Sequence, residues 1–171
     1  MKYLKRHFLL YLLFACVPAV MKAQTTNHQV YALFVVNMAK YSLWPDHAGG
    51  EMHITVFGKT KVYDELMKQT GKNANGVIKV DQVDDVQAIG TPQIVYLADG
   101  KSSALDDLLK TIQGKPIMIV TEREGLFKKG AGFSFIIMDN STLRFDINNS
   151  DLEKRQIKVS RSLAALANSA I

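Results

Sequence analysis

Apolar residues recur along this chain with two periods that trade places. Over residues 27–42, Tyr31, Phe34, Val35, Met38 and Tyr41 fall at i, i+3, i+4, i+7 and i+10, which predicts a helix with those side chains on one face and Asn37 and Lys40 off it. Pro45 disfavours helix at Trp44, so the element stops there and a loop follows over 46–50. Met52 to Phe57 reads as a strand closed by Gly58, and Thr60 caps a helix through Gln69 with Val62, Leu66 and Gln69 along one side and Tyr63 beside them. A turn cluster from Gly71 to Gly76 leads to a short strand over 77–80, while residues 81–90 are ambiguous and hold about one helical turn. Gln93 to Leu97 is apolar and rich in strand formers, Asp99-Gly100 turns the chain, and Ser102 or Ser103 opens a helix carrying Leu105, Leu108, Leu109 and Ile112. Gly114 and Pro116 end that helix, and Ile117 to Val120 lacks polar alternation, as a strand buried on both faces does.

The last third changes character. Gly125, Gly130 and Gly132 punctuate a loop. Phe133 to Met138 and Thr142 to Ile147 then form a hairpin across Asp139-Asn140-Ser141. Ser150-x-x-Glu153 is a capping box, Ile157-Lys158-Val159 is briefly extended, and Ser160 caps a final helix with Leu163, Leu166 and Ala167 inward. Strands alternating with helices require right-handed crossovers. The expectation is therefore one α/β domain. It has a mostly parallel sheet flanked by helices, a C-terminal antiparallel hairpin and a terminal helix.

The N-terminus adds an address. Lys2, Lys5 and Arg6 precede an apolar run from Phe8 to Val20, and polar sequence begins near Gln24. This is the layout of a secretory signal peptide, with cleavage after Ala23 and a mature domain over 24–171. The run is shorter than the roughly 20 residues of a spanning helix and contains Pro18, so no membrane span is expected in the mature chain. Cys16, after Leu13-Phe14-Ala15, is where a lipid anchor would attach, although Phe14 is bulky for that motif. Residues 1–23 carry four basic residues and no acid, which leaves 17 Lys and Arg against 16 Asp and Glu, a net charge of +1. That balance gives no case for nucleic-acid binding. Cys16 is the only cysteine, so the mature chain forms no disulfide and relies on its core.

No set of side chains spells out a reaction, a metal site or a cofactor site. Gly58-Lys59-Thr60 resembles the end of a phosphate loop, but the position that needs the first glycine is His53. As a strand-to-helix turn it reads as a glycine turn and an ordinary helix cap, where backbone amides could also hold an anion. His47 and His53, with Asp46 and Glu51, read as surface polar residues rather than metal ligands. Ser134 alternates within a strand and has no nucleophile elbow around it. The adjacent carboxylates Asp84-Asp85 and Asp106-Asp107 diverge on any regular element. Arg144, Asp146 and Asn148 alternate on one face of the last hairpin strand. They read as an ion pair plus a helix cap, or as a small-anion or partner site. Lys154, Arg155, Lys158 and Arg161 form a basic cluster that is a solvated face or faces an acidic partner or anionic headgroups.

The stretch from Tyr31 to Pro45, an aromatic stripe with Asn37-Met38-Ala39-Lys40 and then Trp44-Pro45, resembles the opening helix of YfiR-like proteins. Arg144-Phe145-Asp146-Ile147-Asn148 resembles that family's Arg-Phe-Glu-Ile-Asn, and Lys158-Val159-Ser160 with Leu163 and Leu166-Ala167 resembles its ending. The resemblance implies a periplasmic, often dimeric regulator without catalysis or cofactor of its own. Such a regulator restrains an inner-membrane signalling protein, a diguanylate cyclase or sensor kinase, by contacting its periplasmic region. It would thereby set cyclic-di-GMP levels and biofilm formation. Two departures stand out. The family's paired cysteines are absent here, which removes a disulfide control, and Arg161 replaces the second serine of a Ser-Ser pair. The expected partner or ligand surface comprises Asn37, Lys40, Trp44, Arg144, Asn148 and Arg161. The alternative is a periplasmic small-molecule or anion-binding protein, with its site in the loops after Phe57, Leu97 and Val120, past the carboxyl ends of the strands.

Overall fold

The computed structural model describes residues 27–45, 47, 49–71 and 78–171. The leader, Cys16, Asp46 and most of the 71–76 turn cluster lie outside the described residues. Helix α1 (Asn27–Lys40) buries Tyr31, Ala32, Val35, Val36, Met38 and Ala39. The inward stripe expected through Tyr41 does not reach that far. The helix ends at Lys40, and Tyr41, which only closes the last turn through its N–H to the Asn37 carbonyl, is 52% exposed. Past it the period drops to two in β1 (Ser42–Leu43), so Ser42 and Trp44 turn inward and Leu43 outward.

Strands β2 (Met52–Phe57), β3 (Ile78–Val83), β4 (Ile94–Leu97), β5 (Met118–Thr121), β6 (Phe133–Ile137), β7 (Leu143–Ile147) and β9 (Ser169–Ala170) form one sheet in the order β3-β2-β4-β5-β6-β7-β9. The pairings are parallel from β3 to β6, antiparallel between β6 and β7, and parallel again between β7 and β9. Each central strand buries both faces. Ile94, Tyr96, Met118 and Val120 point into one core with α1 and with Val62 and Leu66 of α2 (Lys61–Gly71). Val95, Leu97 and Ile119 point into a second core with Leu105 and Leu108 of α3 (Leu105–Thr111). This explains the continuous apolar runs, since alternation has no solvent face to mark.

Strand β3 runs on to Val83, and a single 3₁₀ turn, Val86–Ala88, follows it. The helix expected from Ser102 or Ser103 begins as 3₁₀ at Asp99–Ala104 and becomes α-helical only at Leu105. The cap of α4 (Asn149–Lys154) is Asn148 rather than Ser150, with Oδ1 accepting from the Asp151 amide at 2.8 Å. Ser160 does cap α5 (Arg161–Ala164) through the Leu163 amide. Leu166 lies beyond that one-turn helix and is 51% exposed instead of inward. Strand β8 (Lys158–Val159) pairs antiparallel with β1 to make a separate two-stranded sheet. Among the described residues no helix is long and apolar enough to cross a membrane.

Candidate functional site

The pairing of β1 with β8 brings two sequence-distant segments into one groove of about 550 Å³. One wall is Leu43, Trp44 and Pro45, and the other is Glu153, Gln156, Ile157 and Lys158. Local chemistry fixes both. Pro45 holds Trp44 out of helix. On the opposite side, Gln156 at φ 59° reverses the chain after α4, and the Ile157 amide closes on the Leu152 carbonyl at 2.9 Å. Leu43 is 68% exposed, whereas Trp44 is 7% exposed and Ile157 is buried. The Trp44 Nε1 donor and the Ser42 Oγ hydroxyl are both buried without a hydrogen-bond partner. A smaller pocket of about 130 Å³ lies against the same indole, beside Pro92 and Pro116. Buried donors without partners are rare in folded proteins. An apolar groove bordered by a carboxylate, Glu153, and an ammonium, Lys158, suits an occupant that is mostly apolar.

Of the six residues singled out from sequence, only Trp44 lines this groove. Asn37 is half-buried and Lys40 exposed near the end of α1. Arg161 is exposed at the first position of α5. Arg144 is exposed on β7, opposite Ile136. Asp146 is not its ion-pair partner: the Asp146 carboxylate accepts from the Asn168 side-chain amide at 2.9 Å. Asn148 is buried, and besides capping α4 it donates from Nδ2 to the Phe127 carbonyl at 2.7 Å. The basic cluster is part-neutralised, because Arg155 pairs with Asp151 at 2.8 Å. Sequence reasoning missed Leu43 and Gln156. The signal for Leu43 was present, as an apolar residue at the outward position of an alternating segment.

The second place to look is past the carboxyl ends of the parallel strands. The strand order reverses between β2 and β4, which is where an open α/β sheet leaves a crevice. Here Glu122, just after β5, fills that position. Its Oε1 accepts from the Thr60 hydroxyl at 2.6 Å and the Tyr96 hydroxyl at 3.0 Å, and its Oε2 accepts from the Asp99 amide at 3.0 Å. Arg123 then pairs with Asp99 at 2.8 Å. Burial, with Glu122 beside it, holds the Tyr96 phenol well above its usual pKa of 10.0. Burial and then Glu122 also raise Tyr31. The Arg123 guanidinium lowers the Asp99 carboxyl. At Gly58-Lys59-Thr60 the turn serves as a helix cap, Thr60 Oγ1 accepting from the Val62 amide at 3.3 Å, while the same hydroxyl donates to Glu122, and the cluster ties together the loops after β2, β4 and β5.

Two further polar residues considered from sequence, His53 and Ser134, have structural partners. His53 lies 3.5 Å from Glu51 at the surface. Ser134 is buried with Oγ accepting from the Phe127 amide at 2.6 Å and bonded to Thr121 at 3.1 Å.

With the sheet order, the groove and the hairpin placed, the sequence pattern of the YfiR/HmsC-like family matches residues 28–168. The chain belongs to the YfiR/HmsC-like family. That family is one of periplasmic regulatory proteins and is not known as enzymes. Among solved structures, a conserved domain protein from Vibrio cholerae is similar at a TM-score of 0.60 and 12% identity, over 84% of this chain and 60% of that one. An ABC domain in complex with L-Trp from Streptococcus pneumoniae is similar at a TM-score of 0.56 and 11% identity, again over 84% and 60%. The chain therefore spans 60% of the length of each of these two structures, and at such identities the likeness is one of fold. A search of curated proteins gave no match.

Proposed function

We propose that the chain, exported and freed of residues 1–23, is a non-enzymatic periplasmic regulator. It binds the periplasmic region of an inner-membrane signalling protein, a diguanylate cyclase or sensor kinase, and holds it inactive. Membership of a periplasmic regulatory family supports the class. The observation that carries the contact surface is the groove at the Trp44-Pro45 corner, with Leu43 68% exposed beside buried, unpaired donors on Trp44 and Ser42. An apolar side chain from the partner would fill the groove. Lys40, Arg144 and Arg161 would supply polar contacts around such a complex. A signal with higher affinity for the free regulator would release the partner by mass action. The same proposal includes a homodimer, which sedimentation of the purified chain measures directly.

The test is genetic and physical together. Deleting the gene should raise cyclic-di-GMP and surface adhesion. A photo-crosslinker at position 43 should capture a membrane signalling protein in cells. Unchanged cyclic-di-GMP with no membrane protein crosslinked would overturn the reading. The second reading, a small-molecule or anion-binding protein, rests on the same groove, since Glu122 fills the crevice past the strands. Calorimetric binding of a small ligand that is lost in Trp44→Phe, without any protein partner, would favour it.

A further inference from the structure

The seventh strand of the main sheet is a strap rather than a core element. After Leu163, every residue through Ile171 is exposed or half-exposed. Strand β9 pairs with only Asp146 and Ile147 of the five residues in β7. Its hold is mostly polar, with Ala167 the one strap residue that packs against the core. The Asn168 amide donates to the Phe145 carbonyl at 2.7 Å and the Ile171 amide to the Ile147 carbonyl at 3.1 Å. The Asn168 side chain donates to Asp146, which is buried, and the Ile171 carbonyl accepts from the Asn149 amide at 2.7 Å, at the start of α4. Leu166 and Ile171, the large apolar residues of the strap, are 51% and 49% exposed and anchor little. A segment with few buried apolar contacts opens at low free energy, and an open strand edge pairs with whatever strand arrives.

The geometry points to the β7 edge as a strand-acceptor site for a partner polypeptide, occupied in the free protein by residues 165–171. The partner it fits is an extended segment running parallel to β7. That segment carries a side-chain donor (Asn, Lys or Arg) one residue before the position that pairs with Asp146, where Asn168 reaches its carboxylate, and a carbonyl or carboxylate three residues after that donor for the α4 amide. Such a segment reproduces every bond of the strap. It can also continue along Leu143 and Arg144, which the strap leaves unpaired, so a longer strand displaces a shorter one. Main-chain pairing supplies the affinity and the Asp146 position supplies the selectivity. This site is separate from the Trp44 groove and stands whether or not that groove holds the signalling partner.

The probe is a fluorescent peptide of residues 164–171 titrated into the full chain and into Asn168→Ala. The cis strap competes with the peptide, so apparent affinity scales with the open fraction. Removing one hydrogen bond to a buried carboxylate should raise peptide affinity by about tenfold in Asn168→Ala. A peptide carrying the same Asn168→Ala change should lose about as much. Native-state hydrogen exchange of the unmodified chain should show the Asn168 and Ile171 amides exchanging at least about a hundredfold faster than those of Val95 and Ile119. Exchange at the strap as slow as at those core strands overturns the proposal. So does failure of the peptide to bind Asn168→Ala at about 1 mM, or binding that leaves the resonances of Phe145 to Ile147 unmoved.

Discussion

The Thr60 hydroxyl donates to Glu122 Oε1 at 2.6 Å across 62 positions of sequence, joining the loop that opens α2 to the loop that closes β5. With Tyr96 and the Asp99 amide on the same carboxylate, three donors depend on one acceptor group. Glu122→Gln keeps the shape but offers one oxygen where two served, and it sets an NH₂ against a donor. A loss of about 1–3 kcal/mol is expected, which at about 2–4 °C per kcal/mol for a chain of this size lowers the melting temperature measurably. Thr60→Val, which removes one of the three donors, should cost less, and calorimetric melting of both variants checks the order.

The Tyr96 phenol adds a pH dependence with a definite sign. Burial and Glu122 raise its folded pKa above 10.0, and Tyr31 is raised by the same causes. A group that holds its proton more tightly when folded gives full stability below its unfolded value and loses it as pH climbs toward the folded one. The melting temperature should therefore hold up to about pH 9.5 and fall above about pH 10. Tyr96→Phe should flatten that alkaline limb, leaving the parts due to Tyr31 and to Lys68, whose ammonium is raised by its pairing with Glu65, even though the variant starts lower for want of its bond to Glu122. A limb equally steep in Tyr96→Phe would show that other groups set it.

How much of this could be read from the chain depends on how far each feature extends along it. The strands β2, β4 and β5 were legible as apolar, β-prone runs of four to six residues, and the hairpin β6–β7 by its alternation. Strands β1, β8 and β9 are two residues each, and although Ile157-Lys158-Val159 read as extended and Trp44-Pro45 marked one wall, nothing in the chain said that β1 and β8 pair or that 165–171 joins the sheet, so the groove and the strap were invisible. Tyr41 and Leu166 were placed inward because a helical period was extended one step past where the helix stops. Glu122 carries no motif. A lone carboxylate after a strand becomes a tie only once the sheet order brings Thr60, Tyr96 and Asp99 to it.

Gly58 and Gly90 separate backbone strain from crowding. Both have positive φ, +99° and +69°. A side chain at 90 would meet nothing within 4 Å, so Gly90→Ala should cost only the conformational term of about 1–2 kcal/mol. A Cβ at 58 would lie 2.5 Å from Lys101 Cγ and 3.2 Å from Ala98 Cβ. Displacing Lys101 would break its bond to the Asp84 carbonyl at 2.7 Å and its seat 5.3 Å over the Phe57 ring. Gly58→Ala should thus exceed Gly90→Ala by about 1 kcal/mol or more in urea unfolding. Equal losses would show that Lys101 swings aside freely.

Leu43 and Ile157 face each other across the groove but differ in burial, 68% against 2% exposed. Leu43→Ala should change stability by no more than about 0.5 kcal/mol, as surface changes do, while weakening capture of the signalling partner. Ile157→Ala should cost about 2–5 kcal/mol by leaving a cavity. A Leu43→Ala variant that melts normally and still represses in cells would remove the groove from the contact surface.

Asn148 does two jobs with one amide, and substitution can tell them apart. Its oxygen caps α4 through the Asp151 amide, and its NH₂ donates to the Phe127 carbonyl on a different loop. If capping were all that mattered, Asn148→Asp would be neutral, since aspartate caps as well as asparagine. The tie to Phe127 makes the opposite prediction. An ionised carboxylate, buried where Asn148 is 8% exposed, would face a carbonyl oxygen with no donor between them. Asn148→Asp should therefore be destabilised at neutral pH by about 1–3 kcal/mol. Desolvation and the opposing carbonyl would raise the folded pKa of the new carboxyl, so stability is lost as pH rises and regained as it falls. Protonated, the carboxyl can donate to the Phe127 carbonyl in place of the amide. The gap in melting temperature between Asn148→Asp and the unaltered chain should narrow as pH falls toward about 4 and stay smallest below it, whereas the gap for Asn148→Ala, which has no proton to gain, should not change.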